Sequence, residues 1–171
     1  MIASPSNPTG TRISDSDLNS LIEAVNKVNG SLVVDEIYQG LVYADTDSTA
    51  LAKSDELFVI NSFSKYFGMT GWRLGWLVVP EVFIDAADRI AQNIFLSAPT
   101  VSQHAALAAF TAETEAVLQS RVEEFNQRRQ YLLPALREMG FDIPVEPEGA
   151  FYIYADCSAI TKDSFQWCKQ V

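Results

Sequence analysis

Cysteine and histidine are nearly absent from this sequence, at two and one residues. Cys157 and Cys168 are too few for a disulfide framework. Reduced thiols are the state of the cytoplasm, so a cytoplasmic protein is expected. His104 has no cysteine cluster beside it, and no metal site is expected. Positive charge is also short: 12 Lys and Arg stand against 22 Asp and Glu, a net charge of −10. Such a chain lacks the basic face that nucleic acid requires, and it does not suit an anionic membrane surface. A small anionic ligand stays open, because one local Arg or Lys can hold it. Long apolar runs are missing too. The most apolar segment, Leu74 to Pro80, is far too short to span a bilayer. Met1-Ile2-Ala3-Ser4-Pro5 has neither the basic region nor the apolar stretch of a signal peptide. No internal repeat or low-complexity tract occurs.

What remains is a globular composition, 48% hydrophobic and 20% charged over 171 residues, enough for a real core. Residues 4–12 read as a loop, with two prolines and a glycine among small polar residues. Ser14 with Asp17 three positions on opens a helix whose apolar face is Leu18, Leu21, Ile22 and Val25, and Asn29-Gly30 ends it. Three apolar runs follow: Leu32 to Val34, Leu57 to Ile60 and Leu74 to Val79. Each suits an interior strand buried on both faces of a parallel sheet. Pro80 opens a helix through Val82, Phe83, Ala86, Ile90 and Ile94. Strands alternating with helices indicate an α/β fold, a mainly parallel sheet covered by helices. After Ala98-Pro99 the pattern turns helical, over 100–110 and then over about 113–139, with a stripe of Leu118, Val122, Phe125, Leu132 and Leu136 and a stop at Gly140. Residues 149–154 read as a further strand. The expected organisation is a sheet domain over 1–118 and the start of a smaller α+β domain over 119–171.

The densest chemical signal runs from Asn61 to Gly75. It puts Lys65 in a loop just after a buried strand, with Ser62 and Ser64 before it, glycines after it and Arg73 at the start of the next strand. Loops at the carboxyl ends of parallel strands are where α/β sheets hold ligands. A lysine forms a Schiff base only as the neutral amine, and burial or a nearby cation such as Arg73 lowers its pKa. Two hydroxyls with a guanidinium suit a phosphate. A lone Ser-x-Ser-Lys would read as an ordinary surface turn; the whole stretch does not. Asp35 ends a buried run and needs a partner, and a pyridinium nitrogen is one. Taken alone, Asp35 would read as a turn cap and Tyr38 as packing. Trp72 and Trp76 read as core, His104 as a helix residue, and Arg121, Arg128, Arg129 and Arg137 as a solvated helix face.

Ser6-Asn7-Pro8-Thr9-Gly10, Asp35-Glu36-Ile37-Tyr38 and Ser62-Phe63-Ser64-Lys65 through Gly71-Trp72-Arg73-Leu74-Gly75 occur in the order found in class I/II aminotransferases of fold type I, which use pyridoxal 5'-phosphate (PLP). The resemblance covers essentially the whole chain. It implies amino transfer from an amino acid to a 2-oxo acid through a Schiff base on Lys65, which also moves the substrate proton. It implies that Asp35 pairs with the pyridine nitrogen, that Asn7 and Tyr38 bond the phenolate oxygen, and that Ser62, Ser64 and Arg73 hold the phosphate. Gly149-Ala150-Phe151 resembles the small-domain segment near the substrate. A homodimer sharing residues between active sites is also implied.

Members of that family are considerably longer. The resemblance therefore implies that the loop capping the phosphate, the ring stacked on the cofactor and the arginine for the substrate carboxylate lie outside this sequence. The segment by itself is expected to be inactive. Members that favour aspartate carry an arginine just before the Ser-x-Pro loop, here Ser97-Ala98-Pro99; this sequence has Asn93-Ile94-Phe95-Leu96 instead, so neutral or apolar donors are expected. A PLP lyase or synthase on the same fold would show the same Lys65, Asp35 and Arg73. A truncated relative surviving as an inactive binding module is the remaining alternative.

Overall fold

In the computed structural model the described residues are 1–43 and 48–170; Val171, where the second expected domain ends, lies outside them. Four strands form one sheet in the order β1-β2-β3-β4: β1 (Ile2–Ala3), β2 (Val33–Asp35), β3 (Phe58–Ser62) and β4 (Gly75–Val78). The first three run parallel, with Ile2 beside Val34 and Val34 beside Val59.

The crossover from β1 to β2 is α1 (Asp15–Lys27). Ser14 Oγ caps it by accepting the Asp17 N–H at 3.1 Å, and Asp15 and Asp17 put negative charge at its positive end. Asn29 takes a left-handed φ of 49°, and the Gly30 N–H returns to the Val25 carbonyl at 3.0 Å to close the helix. Leu18, Ile22 and Val25 pack on Leu32, Val34, Leu57 and Val59, the main core. Leu21, expected on that face, is exposed.

Two expectations fail at the third apolar run. β4 is antiparallel to β3, with Ile60 beside Leu77 and Ser62 beside Gly75. The connection between them holds a short 3-10 turn, Thr70–Trp72, and no covering helix, so the chain folds straight back; a parallel return needs a crossover. β4 is also an edge strand among the described residues, not an interior one: Trp76 is 37% exposed and Leu77 51%. Trp72, 43% exposed, is no more core than Trp76.

A 3-10 turn Glu81–Phe83 leads into α2 (Ile84–Ile94), whose apolar stripe borders a groove of about 520 Å³ with Phe58, Leu77 and Val79. Phe83, just before α2, reaches the sheet, its ring 5.2 Å from that of Phe58. Ile90, Ile94, Phe95 and Leu96 are exposed. Then come α3 (Thr100–Leu107), α4 (Ala112–Glu138) and a short α5 (Ser164–Cys168) that the sequence pattern did not suggest. On α4, Leu118 and Leu133 are buried while Leu132 is exposed, so the apolar stripe shifts by one residue in its second half, where Pro134 interrupts the hydrogen-bond ladder. Residues 149–154 do not form the expected strand. Gly149 makes one isolated bridge to Val42, and Asp156 one to Asp142. An extended segment becomes a strand only with a neighbour along its length, and the segment 41–43 pairs with residues 148–150 alone.

Candidate active site

Because β1, β2 and β3 are parallel, their carboxyl ends open on the same side of the sheet. Asn7 lies in the loop after β1, Asp35 ends β2, Tyr38 sits in the turn behind it, and Ser62 ends β3 just before Ser64 and Lys65. Topology alone thus gathers residues that are far apart in sequence.

Asp35 is half-buried, and its Oδ1 accepts the Ile37 N–H at 3.0 Å. That bond turns the chain sharply and sends Tyr38 back over the strand ends. Tyr38 is 3% exposed. Its hydroxyl bonds that of Tyr152 and the Asn7 side chain. Burial first, then the Tyr152 bond and the nearby Tyr152 and Asp35 charges, holds the Tyr38 phenol well above its ordinary range, and Asn7 opposes them. Lys65 is half-buried, with Nζ 5.6 Å from the Tyr38 ring centre and 5.5 Å from that of Phe151. Phe151 thus lies beside Lys65, and it comes from a turn and not from the expected strand.

Ser62 Oγ lies 3.0 Å from Ser64 Oγ and 3.1 Å from the Leu74 carbonyl oxygen, and it accepts the Ser64 N–H at 3.0 Å. Thr70 Oγ1 donates to the Ser64 carbonyl at 2.6 Å, which fixes the loop from the other side. Arg73 stands apart. It is exposed, at a left-handed φ of 52°, and its Nη1 donates to the Thr70 carbonyl at 2.9 Å. Its connection to the serine pair is through the backbone: Gly75, two residues on, pairs with Ser62.

The turn bearing Phe151 and Tyr152 is pinned to the sheet side. Gly10 adopts φ +68°, and a Cβ there would stand 2.5 Å from Pro147 Cβ and 2.6 Å from the Gly149 carbonyl oxygen. Its own carbonyl accepts the Glu148 and Gly149 N–H groups at 2.9 and 3.0 Å. Arg129 is not part of a solvated face. It is half-buried, donates to the Pro147 carbonyl at 3.0 Å and lies 5.1 Å from the centre of the Tyr43 ring, while the Tyr43 hydroxyl bonds the Ala150 carbonyl. Arg128 and Arg137 do stay at the surface, paired with Glu124 and Glu146. Tyr43, Arg129 and Tyr152 carried no local signal beyond an aromatic run at 151–154. Their partners are more than a hundred residues away, or across from α4.

Comparison with known proteins decides the family. The profile of aminotransferase class I and II matches residues 1–167. The chain belongs to that family. A valine–pyruvate aminotransferase of Mycobacterium tuberculosis is 42% identical over the whole chain, which covers 45% of that protein. An aspartate aminotransferase of Thermotoga maritima is 34% identical, with 100% and 44% covered. Among solved structures, an aminotransferase from Mycobacterium tuberculosis superposes at a TM-score of 0.94 with 42% identity, over 99% of this chain and 44% of that one. One from Silicibacter pomeroyi superposes at 0.92 with 46% identity, over 99% and 45%. The chain thus spans less than half the length of these relatives. Its mixed sheet with flanking helices is part of the large domain of the fold type I aminotransferases. No helix among the described residues is long and apolar enough to cross a membrane, and no cluster of metal ligands occurs among them.

Proposed function

We propose that the complete protein is a PLP-dependent aminotransferase that moves an amino group from an amino acid to a 2-oxo acid, and that Lys65 carries the cofactor. The observation behind this reading is the convergence of Lys65, Asp35 and Tyr38 at the carboxyl ends of β2 and β3, with Lys65 Nζ beside the paired Tyr38 and Phe151 rings. The donor set fits the cofactor group by group. Lys65 offers an amine for an imine, Asp35 a carboxylate for the pyridine N–H, and Tyr38 and Asn7 hydrogen-bond donors for the phenolate oxygen. Ser62, Ser64 and Arg73 offer hydroxyls and a guanidinium for the phosphate. When bound, PLP supplies an electron sink for the electron pair left at the substrate α-carbon. Lys65 Nζ takes the α-proton and redelivers it, Asp35 keeps the ring nitrogen protonated, and Phe151 excludes water beside the amine. We read residues 1–118 as the C-terminal portion of the large domain and 119–171 as the start of the small one, and the complete enzyme as a cytoplasmic homodimer, on the family resemblance.

Borohydride reduction of the full-length protein with PLP, followed by peptide mapping, tests the assignment. A pyridoxyl group on Lys65 is expected; one on Lys27 or Lys53 alone rejects it. Product analysis with and without a 2-oxo acid separates transfer from the lyase or synthase chemistry that the same residues would serve.

The donor is expected to be neutral or apolar. The stretch Asn93 to Leu96 has no cation, and a distal carboxylate desolvated beside it would lack a partner, which is costly. The greater likeness to a valine–pyruvate than to an aspartate aminotransferase agrees with this. A kcat/KM for alanine or valine about tenfold or more above that for aspartate is expected, the effect of roughly 1.4 kcal/mol of binding. A clear advantage for aspartate rejects the preference.

A further inference from the structure

Tyr152 has no role in the reading above, yet its hydroxyl meets that of Tyr38. Its position is imposed by backbone, not by a loose side chain. The preceding Ala150 is fully buried at φ 59°, its N–H donates to the Leu41 carbonyl at 2.8 Å, and its carbonyl accepts from Tyr43. A Cβ on Gly149 would stand 2.7 Å from the Leu41 carbonyl oxygen and 2.7 Å from Pro5 Cγ, so the turn lies directly on the loop that follows Tyr38. The Tyr38 and Tyr152 rings meet edge-on with centres 5.4 Å apart. A phenylalanine at 152 would keep that packing; only the hydroxyl makes the polar contact.

A phenol has one proton to donate and two lone pairs to accept with. In this chain the Tyr38 hydroxyl is shared between Tyr152 and Asn7, and the Tyr152 bond adds to the forces that keep it protonated. It cannot donate to Tyr152 and to a cofactor oxygen at once. We propose that Tyr152 is a positioning residue for Tyr38: its hydroxyl accepts the Tyr38 proton in the cofactor-free chain, then reverses and donates to the Tyr38 oxygen when Tyr38 turns its proton to the cofactor's ring oxygen. The two phenols then form a relay in which each hydrogen bond polarises the next and makes Tyr38 the stronger donor. This rests on the reading of Tyr38 as a cofactor contact. Around Tyr38 also lie Asp35 from β2, Asn7 from the loop after β1, Lys65 after β3 and the Phe151 ring, while Tyr66 and the uncharged Val122 and Phe125 of α4 pack on the cluster that holds it. Val122 and Phe125 carry no polar group that could replace the Tyr152 donor.

The test uses the full-length protein loaded with PLP and reads the pH midpoint of the bound cofactor's absorbance in the wild type, Tyr152→Phe, Tyr38→Phe and the double variant. A weaker donor leaves the ring oxygen's negative charge less stabilised, so the cofactor holds its proton to higher pH. Tyr152→Phe is expected to raise the midpoint by about half a pH unit to one, the loss of a single hydrogen bond. Tyr38→Phe should raise it at least as far, and Tyr152→Phe should add nothing on that background. A midpoint in Tyr152→Phe equal to the wild type's, beside a shifted Tyr38→Phe, overturns the relay while the functional reading stands. So does an equal shift from Tyr152→Phe with or without Tyr38, or a lowered thermal midpoint with an unchanged pH midpoint. A wild type with neither the absorbance nor the Lys65 adduct overturns the functional reading and the relay together.

Discussion

Lys65→Ala in the full-length protein is expected to lower kcat by on the order of 10⁴-fold, the upper end of what a positioned acid–base group contributes. Two proposed functions leave with one side chain: the covalent hold on the cofactor and the transfer of the substrate α-proton. Lys65→Arg is expected to fall as far. It retains a positive charge beside the Tyr38 and Phe151 rings, but a guanidinium neither gives up its proton nor forms the imine. The pair of variants therefore separates chemistry from charge. Neither should unfold the protein, since Lys65 is half-buried and its Nζ only approaches ring faces. Steady-state kinetics beside thermal melts would measure both. A tenth of wild-type turnover in either variant would show that another group does this work.

Asp35→Asn and Arg73→Ala are expected to fail in opposite ways. Asparagine keeps an oxygen that can accept the Ile37 N–H, so the turn before Tyr38 is preserved. What it loses is the negative charge proposed to keep the ring nitrogen protonated. Removing one preorganised electrostatic partner typically costs about 3–4 kcal/mol, so kcat should drop by roughly 10²–10³-fold while cofactor occupancy changes far less. Arg73 lies exposed, bonded to the Thr70 carbonyl, and, as a proposed phosphate ligand, Arg73→Ala should lose cofactor first. Turnover at saturating PLP should recover much of the loss in Arg73→Ala and none of it in Asp35→Asn. Equal losses in occupancy and turnover in both variants would contradict these roles.

How much of the site could be read in advance follows from where each partner lies. Asp35, Tyr38, Ser62, Ser64 and Lys65 all fall within a few residues of a strand end, so apolar runs followed by polar residues pointed to that region, while the roles proposed for Asp35 and Tyr38 needed the family resemblance. Tyr152 could not be found that way. Its partner Tyr38 is 114 positions away, and the contact exists only because the 149–152 turn is bonded to Gly10 and Leu41. Arg129 misled for a related reason. A charged residue on a helix with a weak apolar stripe reads as solvated, and nothing local shows that Tyr43 and Pro147 pack against it.

The first elements were set by sequence. The Ser14 cap and the Asn29-Gly30 stop bound α1, and the apolar runs at Leu32 and Leu57 became parallel strands with a helix between β1 and β2. These are short-range matters of capping, propensity and burial. The direction of β4, the exposure of Trp72 and Trp76 and the absence of a strand at 149–154 were decided by tertiary structure. An apolar run declares that it will be extended and covered; it does not say by which neighbour, or from which side. Strand pairing and burial depend on what the rest of the polypeptide places alongside; among the described residues no strand pairs with the outer edge of β4, and Ile90 and Ile94 of α2 are exposed.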